Sequence, residues 1–431
     1  METGRDVRQA RVRAIIGWAH LYFLFTFRWW LTVPQSFSEE GFRTLRALPV
    51  WGLDWLPRFP QTGVTVLLQL LVLFECWCAV LCLKEKTAPL ALRLLWISLL
   101  GKLYFYALDL RQFTTFHHIH LLMVVVLLVA THRLSYLRGT LVVVYLCAGL
   151  AKWNPSWLEA AYFRSVGGGL PIFGESSTAL LMASRGVVAL ELVGPLLWFS
   201  PNRQLRNLSL GLFLLFHLYS GLIVGFHFTL LMLPALLILL APFSDPVRLP
   251  LRERKDKIAA TVLLVAFLSG LSPLLLSEDV RFTARGRYFS TSNMVDANRW
   301  IQFEASFSKE GKRYLLRCLR PYPKSGLYNA PTYVMLSLNR KPFRHLSEDF
   351  VWQGNVVISP EFFQNTHVRT LGDPYLFLYA TRMICERLQP DSLDVRLKMA
   401  LNGSQQPRTV WELQDVCRKT VKFTPWGGIH R

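Results

Sequence analysis

Apolar runs of membrane-crossing length, one after another, constrain this chain more than any other feature. Nine of them cover about residues 14–33, 64–83, 87–108, 116–131, 137–153, 179–199, 205–224, 226–242 and 258–276. A helix rises about 1.5 Å per residue, so roughly 20 apolar residues cross a hydrocarbon core about 30 Å thick. The runs end near residue 277, and the remaining sequence is mixed and mostly polar. The expected fold is therefore a polytopic α-helical membrane protein with about nine transmembrane helices and a C-terminal extramembrane domain. The expected boundaries are 1–278 for the membrane part and 279–431 for the exported part. The average composition, 52% hydrophobic with a mean hydropathy of +0.29, blends these two regimes.

Charge placement sets the expected orientation. Arg5, Arg8, Arg11 and Arg13 precede the first run, which lacks a small-residue cleavage site and so reads as a retained helix. If that end is cytoplasmic, every second break should be cytoplasmic too. Those breaks carry Lys84 and Lys86, then Arg133 and Arg138, then Arg203 and Arg206, then Arg248, Arg252, Arg254, Lys255 and Lys257. Nine crossings then leave the C-terminal domain in the periplasm of a bacterium or the lumen of the ER. The net charge of +20 is shared by both parts, with 22 basic against 12 acidic residues from position 282 onward. It is spread out and accompanied by no nucleic-acid motif, so membrane lipid and not nucleic acid is the expected partner.

The tail alternates in the manner of strands at 299–307, 312–319, 332–339, 351–359 and 393–402, while 373–388 reads as a helix ahead of Pro390. A β-sandwich-like domain with a helix against it is the expectation. Cys318, Cys385 and Cys417 lie there, so one disulfide is possible, with its pairing open. Cys76, Cys78 and Cys82 read as helix packing. Gly167-Gly168-Gly169 resembles no phosphate cradle, because no Lys-Ser/Thr helix start follows.

Ionisable groups are costly inside a membrane, and two clusters stand out. His117, His118 and His120 open the fourth run, and Lys152 closes the fifth beside Trp153 and Trp157. The topology places both at outer helix ends. A desolvated Lys152 supplies a neutral amine as a base, and the alternative is a snorkelling lysine amid belt aromatics. His118 can aid a developing oxyanion or cap a helix. A zinc site is disfavoured, since positions i, i+1 and i+3 converge poorly, and no metal is expected. Arg28, Glu75, Arg93, Lys102, Arg185 and Glu191 are further charges in apolar runs, expected to pair between helices.

At these residues the chain resembles the vitamin K-dependent γ-glutamyl carboxylase family and its HTTM-domain relatives. Tyr145-Leu-Cys-Ala-Gly-Leu-Ala-Lys152-Trp-Asn-Pro-Ser-Trp157 is similar to the segment carrying that family's catalytic lysine, and His117-His118-Ile-His-Leu121 to its Asn-His motif. In the tail, Leu378-Tyr-Ala-Thr381, then 395–402 and Pro407-Arg-Thr-Val-Trp-Glu412, looks like the family's lumenal β-domain. The resemblance implies Lys152 as catalytic base and His118 as its assistant. His117, His120, Trp153 and Trp157 would lie along the cofactor. That cofactor would be a reduced vitamin K-like naphthoquinol, with O₂ and CO₂ as co-substrates and a glutamate-containing peptide or protein as acceptor. Ala151 stands where the family carries a second lysine, and His117 where it carries asparagine. These departures leave two alternatives: quinol epoxidation without carboxylation, and a non-catalytic membrane protein that binds lipid or protein.

Overall fold

The computed structural model describes residues 2–31, 55–57, 59–108, 115–165, 170–224, 226–241, 245–275, 282, 299–320, 333–338, 341–342, 389–418, 422–424 and 428–430, with helical positions at 377–378, 381–382 and 384–386. Its helices are α1 (Glu2–Trp30), α2 (Gln61–Leu81), α3 (Ala88–Leu108), α4 (Thr115–Val129), α5 (Arg133–Lys152), α6 (Pro155–Leu158), α7 (Ala161–Arg164), α8 (Ser177–Leu197), α9 (Arg203–Val224), α10 (His227–Leu240) and α11 (Arg254–Leu275). A helix stands at each of the nine apolar runs, and α6 and α7 are single turns in the loop after α5.

Among the described residues, five helices, α2, α3, α5, α8 and α9, are long and apolar enough to cross a membrane, as a multi-pass protein requires. Two others, α4 and α10, are apolar but only 15 and 14 residues long. Apolar side chains also face outward: Leu70, Leu73, Trp77 and Val80 on α2, and Leu208, Leu212, Leu215 and Leu222 on α9, are exposed. Outward leucines on helices that are apolar all round match a lipid surrounding better than water.

The central helix is α5, which packs on α4, α8, α10 and α11. Just before its start, Thr131 and His132 donate backbone N–H groups to Asp256 at the start of α11. Near its end, the Cys147 thiol lies 3.8 Å from the Phe267 carbonyl of α11. The two helices are therefore parallel, and α11 ends on the face where α5 ends. Asn154-Pro155 is what stops α5. Proline restricts the residue before it to extended backbone, and Asn154 adopts φ −143°, ψ 152°. The Asn154 side chain then caps α6 by accepting from the Trp157 N–H at 3.1 Å.

Beyond the helices, β1 (Arg299–Lys309), β2 (Lys312–Arg320), β3 (Tyr333–Leu338), β4 (Lys341–Pro342), β5 (Ser392–Leu401) and β6 (Arg408–Leu413) form an antiparallel sheet in the order β4-β3-β2-β1-β5-β6. Strands β7 (Lys422–Thr424) and β8 (Gly428–His430) pair separately. Glu310 and Gly311 join β1 to β2 at φ of 52° and 73°, the left-handed pair a two-residue hairpin needs. Register then aligns the buried Ile301, Phe303, Ala305 and Phe307 with Met399, Leu397, Val395 and Leu393. This apolar face meets Phe377, whose ring is 6.0 Å from that of Phe303. A helical stretch, not a second facing sheet, is thus what covers it among the described residues. The possible disulfide pairs Cys385 with Cys417, fastening that stretch to the segment after β6. The strand expected at 351–359 and the glycines 167–169 lie outside the described residues.

Candidate functional site

Four of the candidate residues, Lys152, Trp157, His117 and His120, belong to two buried polar centres. At the first, Lys152 Nζ donates to both carboxylate oxygens of Glu191, at 2.9 and 2.8 Å. The two residues are 3% and 2% exposed, so the pair is sealed from solvent. Its helices can approach because α5 carries Gly149, where an added Cβ would stand 2.8 Å from the Leu192 side chain and 3.1 Å from Glu191 Cβ. Trp157 closes the site from the α6 side, with its ring centroid 5.6 Å from Nζ. Two hydrogen bonds fix that indole against α8: Nε1 donates to the Ser184 carbonyl at 3.1 Å, and the Ser184 hydroxyl donates to the Trp157 carbonyl. Tyr162 stacks on its other side at 4.9 Å.

This position is deeper than the sequence suggested. Glu191 lies 14 residues into α8, roughly 21 Å along the helix axis. Lys152 ends α5, yet it does not meet the start of α8; α6 and α7 occupy the intervening height along it. The site is recessed beneath the α6–α7 segment rather than set at the surface.

Near this pair, Tyr145, which opens the motif around Lys152, meets a residue outside the sequence's candidate set, His217. The Tyr145 hydroxyl is hydrogen-bonded to His217 Nε2 at 2.5 Å, and both side chains are buried. Among the described residues, His217 Nδ1 has no hydrogen-bond partner. His217 was detectable by the same rule that picked out Lys152, as a titratable side chain within the apolar run of α9. Glu191 meets the expectation of interhelical pairing.

The α4 histidines go elsewhere. His120 Nδ1 lies 3.1 Å from Lys102 Nζ, and His117 Nδ1 lies 3.4 Å from Thr26 Oγ1, which Lys102 also approaches at 3.4 Å. His117 and His120 therefore serve a second centre, between α1, α3 and α4. His118 is partly buried on α4. Trp153 is 63% exposed and turns away from the ion pair that Trp157 covers. Arg28, Arg93 and Arg185 are exposed, and Arg185 Nε donates to the Leu158 carbonyl at 3.3 Å. A trio with metal-compatible spacing exists at His132, Glu253 and Asp256, whose ligand atoms lie within 4.8 Å of one another. Asp256 is already engaged there, accepting from the Thr131 and His132 N–H groups at 3.1 Å and bonded to His132 Nδ1 at 2.6 Å. Those bonds tie the turn before α5 to the start of α11, and they account for the cluster.

The C-terminal sheet reaches the loop that follows Lys152. In the β5–β6 turn, Asn402 Nδ2 donates to Ser156 Oγ at 2.6 Å, and a Cβ on Gly403 would lie 3.8 Å from Ser165 Cβ. No protein-family model, no curated protein and no solved structure matches this chain.

Proposed function

We propose that the chain is a vitamin K-dependent γ-carboxylase-like membrane enzyme, coupling O₂-dependent epoxidation of a reduced naphthoquinone to carboxylation of protein glutamate. In this reading nine helices cross the membrane, the N-terminus is cytoplasmic, and the β-domain faces the periplasm or the ER lumen. The observation that carries it is the Lys152–Glu191 pair, buried in an apolar bundle beneath Trp157.

A base must be free of its own proton before it can take another. In a site of low dielectric, a buried ammonium and carboxylate 2.8 Å apart are costly to keep as ions. Moving one proton from Nζ to the Glu191 carboxylate leaves a neutral amine beside a neutral acid, with no change in total charge. Lys152 is then available as the base that takes a hydroxyl proton, while Glu191 stores the one displaced. The surroundings suit an aromatic hydroxyl compound: Trp157 offers a ring face beside Lys152, and the buried His217 Nδ1 is an unused hydrogen-bonding atom. A reduced naphthoquinone, with O₂, supplies the strong base that removes a glutamyl γ-proton before CO₂ adds. The recess under α6 and α7 excludes water from that chemistry. The contact between Asn402 and Ser156 brings the β-domain to the same recess, where an acceptor peptide would arrive.

The test is an assay on purified protein in detergent with reduced vitamin K, O₂, labelled CO₂ and a glutamate-rich peptide. Epoxide and incorporated label are expected, and both should be lost in Lys152→Ala. Epoxide without label would leave a quinol oxygenase, the outcome the alanine at position 151 favours. Neither product, or unchanged turnover in Lys152→Ala, would overturn the assignment.

A further inference from the structure

At the end of α5 opposite Lys152, arginines converge from several helices. Arg138 lies in the second turn of α5 and is 8% exposed. Its Nε donates to the Leu239 carbonyl at 2.7 Å, in the last turn of α10, where carbonyls lack helical partners. Among the described residues that is its one hydrogen bond, so four of its five N–H donors, those on the two Nη atoms, have no acceptor. Neither Nη is sealed, so a group from outside the bundle can reach them. A guanidinium this deep ordinarily spends those donors on a carboxylate or a phosphate.

Its neighbours add positive charge instead of removing it. The charges that act on Arg138 most strongly are Arg11, Asp245, Arg8 and Arg206, three cations and one carboxylate. Arg8 and Arg11 come from α1, which packs on α10. Arg206 comes from the first turn of α9; it is buried and donates through Nη1 to the Ser200 and Pro201 carbonyls at 2.7 and 2.8 Å. Asp245 opens the segment 245–250, which is fastened to the same end. There the Val247 N–H donates to the Trp198 carbonyl at 2.9 Å, and the Tyr136 hydroxyl to the Pro250 carbonyl at 2.6 Å. Gly139, next to Arg138, admits that segment, since an added Cβ would stand 2.9 Å from Leu249 Cδ2. Like charges held together at low dielectric repel, and an anion among them relieves the repulsion. An apolar row starts at the same place. Leu205 beside Arg206 is exposed, and Leu208, Leu212, Leu215 and Leu222 continue it along one face of α9. An inorganic anion would use the arginines alone, whereas a lipid with a phosphate head and an acyl chain uses both features.

We propose that this arginine cluster binds the phosphate of one anionic phospholipid, with the Arg138 Nη groups donating to its oxygens and an acyl chain lying along the α9 leucines. The guanidinium fork matches paired phosphate oxygens, and the bond to Leu239 holds it in place for them. The lipid's negative charge offsets the excess of cations, and its chain covers leucines that would otherwise face the bilayer at large. The site is independent of the quinol reading, because it involves only α1, α9, the segment 245–250 and the end of α5 remote from Lys152.

Native mass spectrometry of the delipidated full chain in detergent tests it, with dioleoylphosphatidylglycerol as the probe. Dioleoylphosphatidylcholine and inorganic phosphate are the comparisons. A single phosphatidylglycerol should be retained per chain, in preference to phosphatidylcholine, whose choline adds a further cation. Arg138→Gln should weaken that binding by about tenfold or more. Arg8→Gln, at an exposed position on α1, should weaken it by about fivefold and keeps the test usable if Arg138→Gln does not fold. Lys255→Gln removes an exposed charge from the start of α11 at the same end, and should leave the affinity unchanged. Equal losses in Lys255→Gln and Arg138→Gln, or no preference over phosphatidylcholine, would overturn the site in favour of diffuse surface attraction. Inorganic phosphate bound in an Arg138-dependent manner, with no phosphatidylglycerol retained, would overturn the lipid assignment and leave a site for a free anion.

Discussion

Removing either member of the Lys152–Glu191 pair leaves the other buried without its partner, as an uncompensated charge or an unsatisfied polar group. Such single truncations typically destabilise by about 3–5 kcal/mol, whereas apolar replacement of both members is often neutral. Glu191→Leu alone should therefore lower stability by roughly that amount, and Lys152→Met with Glu191→Leu should recover most of it. Denaturant unfolding in detergent, run as a double-mutant cycle, measures the recovery. Strict additivity of the two single effects would show that the residues do not interact. Activity should separate from stability: the double variant folds but makes no epoxide, since it has no base. Glu191→Gln discriminates further. It leaves an amide to accept a hydrogen bond but cannot store the displaced proton, so turnover should fall much more than folding does. Lys152 was visible in the sequence because a lysine at the end of an apolar run is conspicuous. Its partner was not, because Glu191 lies 39 positions away on another helix, and nothing local says which helices are neighbours.

The helices hold these residues through two features of α5. One is Gly149, where the close approach to α8 leaves no room for a side chain. The conflicting atoms include Leu192 Cγ, which is not the free tip of a side chain, so Gly149→Ala must move α8 away. A cost of roughly 1–3 kcal/mol is expected from overpacking, and epoxide formation should fall with it. Gly186, with open space around it, is the control: Gly186→Ala should leave stability unchanged or slightly improve it. The other feature is the Asp256 carboxylate, which holds the backbone of the turn just before α5. Burial alone would raise the carboxyl, but bonds from the His132 backbone and ring and from the Thr131 backbone outweigh it and hold the group below the usual aspartate value. A depressed carboxyl stabilises the fold above its unfolded value, near 3.9, and loses that contribution as pH falls through the folded value. Acid sensitivity below about pH 4 should therefore be reduced in Asp256→Asn, whose stability at neutral pH should be lower by about 1 kcal/mol. Thermal unfolding followed between pH 3 and 7 checks both signs.

Elements themselves were largely legible. Run length and hydrophobicity are local properties, and so is the period-two alternation that marks β1, β2, β3 and β5. What escaped was arrangement. His117 and His120 face Lys102 rather than Lys152 because a helix presents several faces, and only packing decides which neighbour each face meets. The recess of Lys152 escaped for the same reason: the stagger of α5 against α8 is set by Gly149 and by the turns of α6 and α7, not by where an apolar run ends.

At the scale of the whole molecule, the parallel course of α5 and α11 decides where the C-terminal domain stands. Contacts near both ends of the pair, Thr131 to Asp256 and Cys147 to Phe267, set that parallel course. The chain therefore leaves α11 on the face where α5 ends, and the β5–β6 turn returns to that face at Ser156 and Ser165. This docking makes a geometric prediction. A Cβ on Gly403 would lie 3.8 Å from Ser165 Cβ, within the range of about 3.5–4.5 Å that a disulfide requires. Ser165→Cys with Gly403→Cys should form a bond under mild oxidation, detected as linked fragments after cleavage between the two domains and separated by reductant. Gly403 has φ of +82°, so its replacement carries backbone strain, and Gly403→Cys alone sets the baseline for stability. If the linked protein still makes epoxide but no longer fixes label on a peptide, the turn must move for the acceptor to enter. If both activities persist, the acceptor reaches Lys152 without undocking. Failure to cross-link in folded protein would place the sheet elsewhere and remove the β-domain from the site.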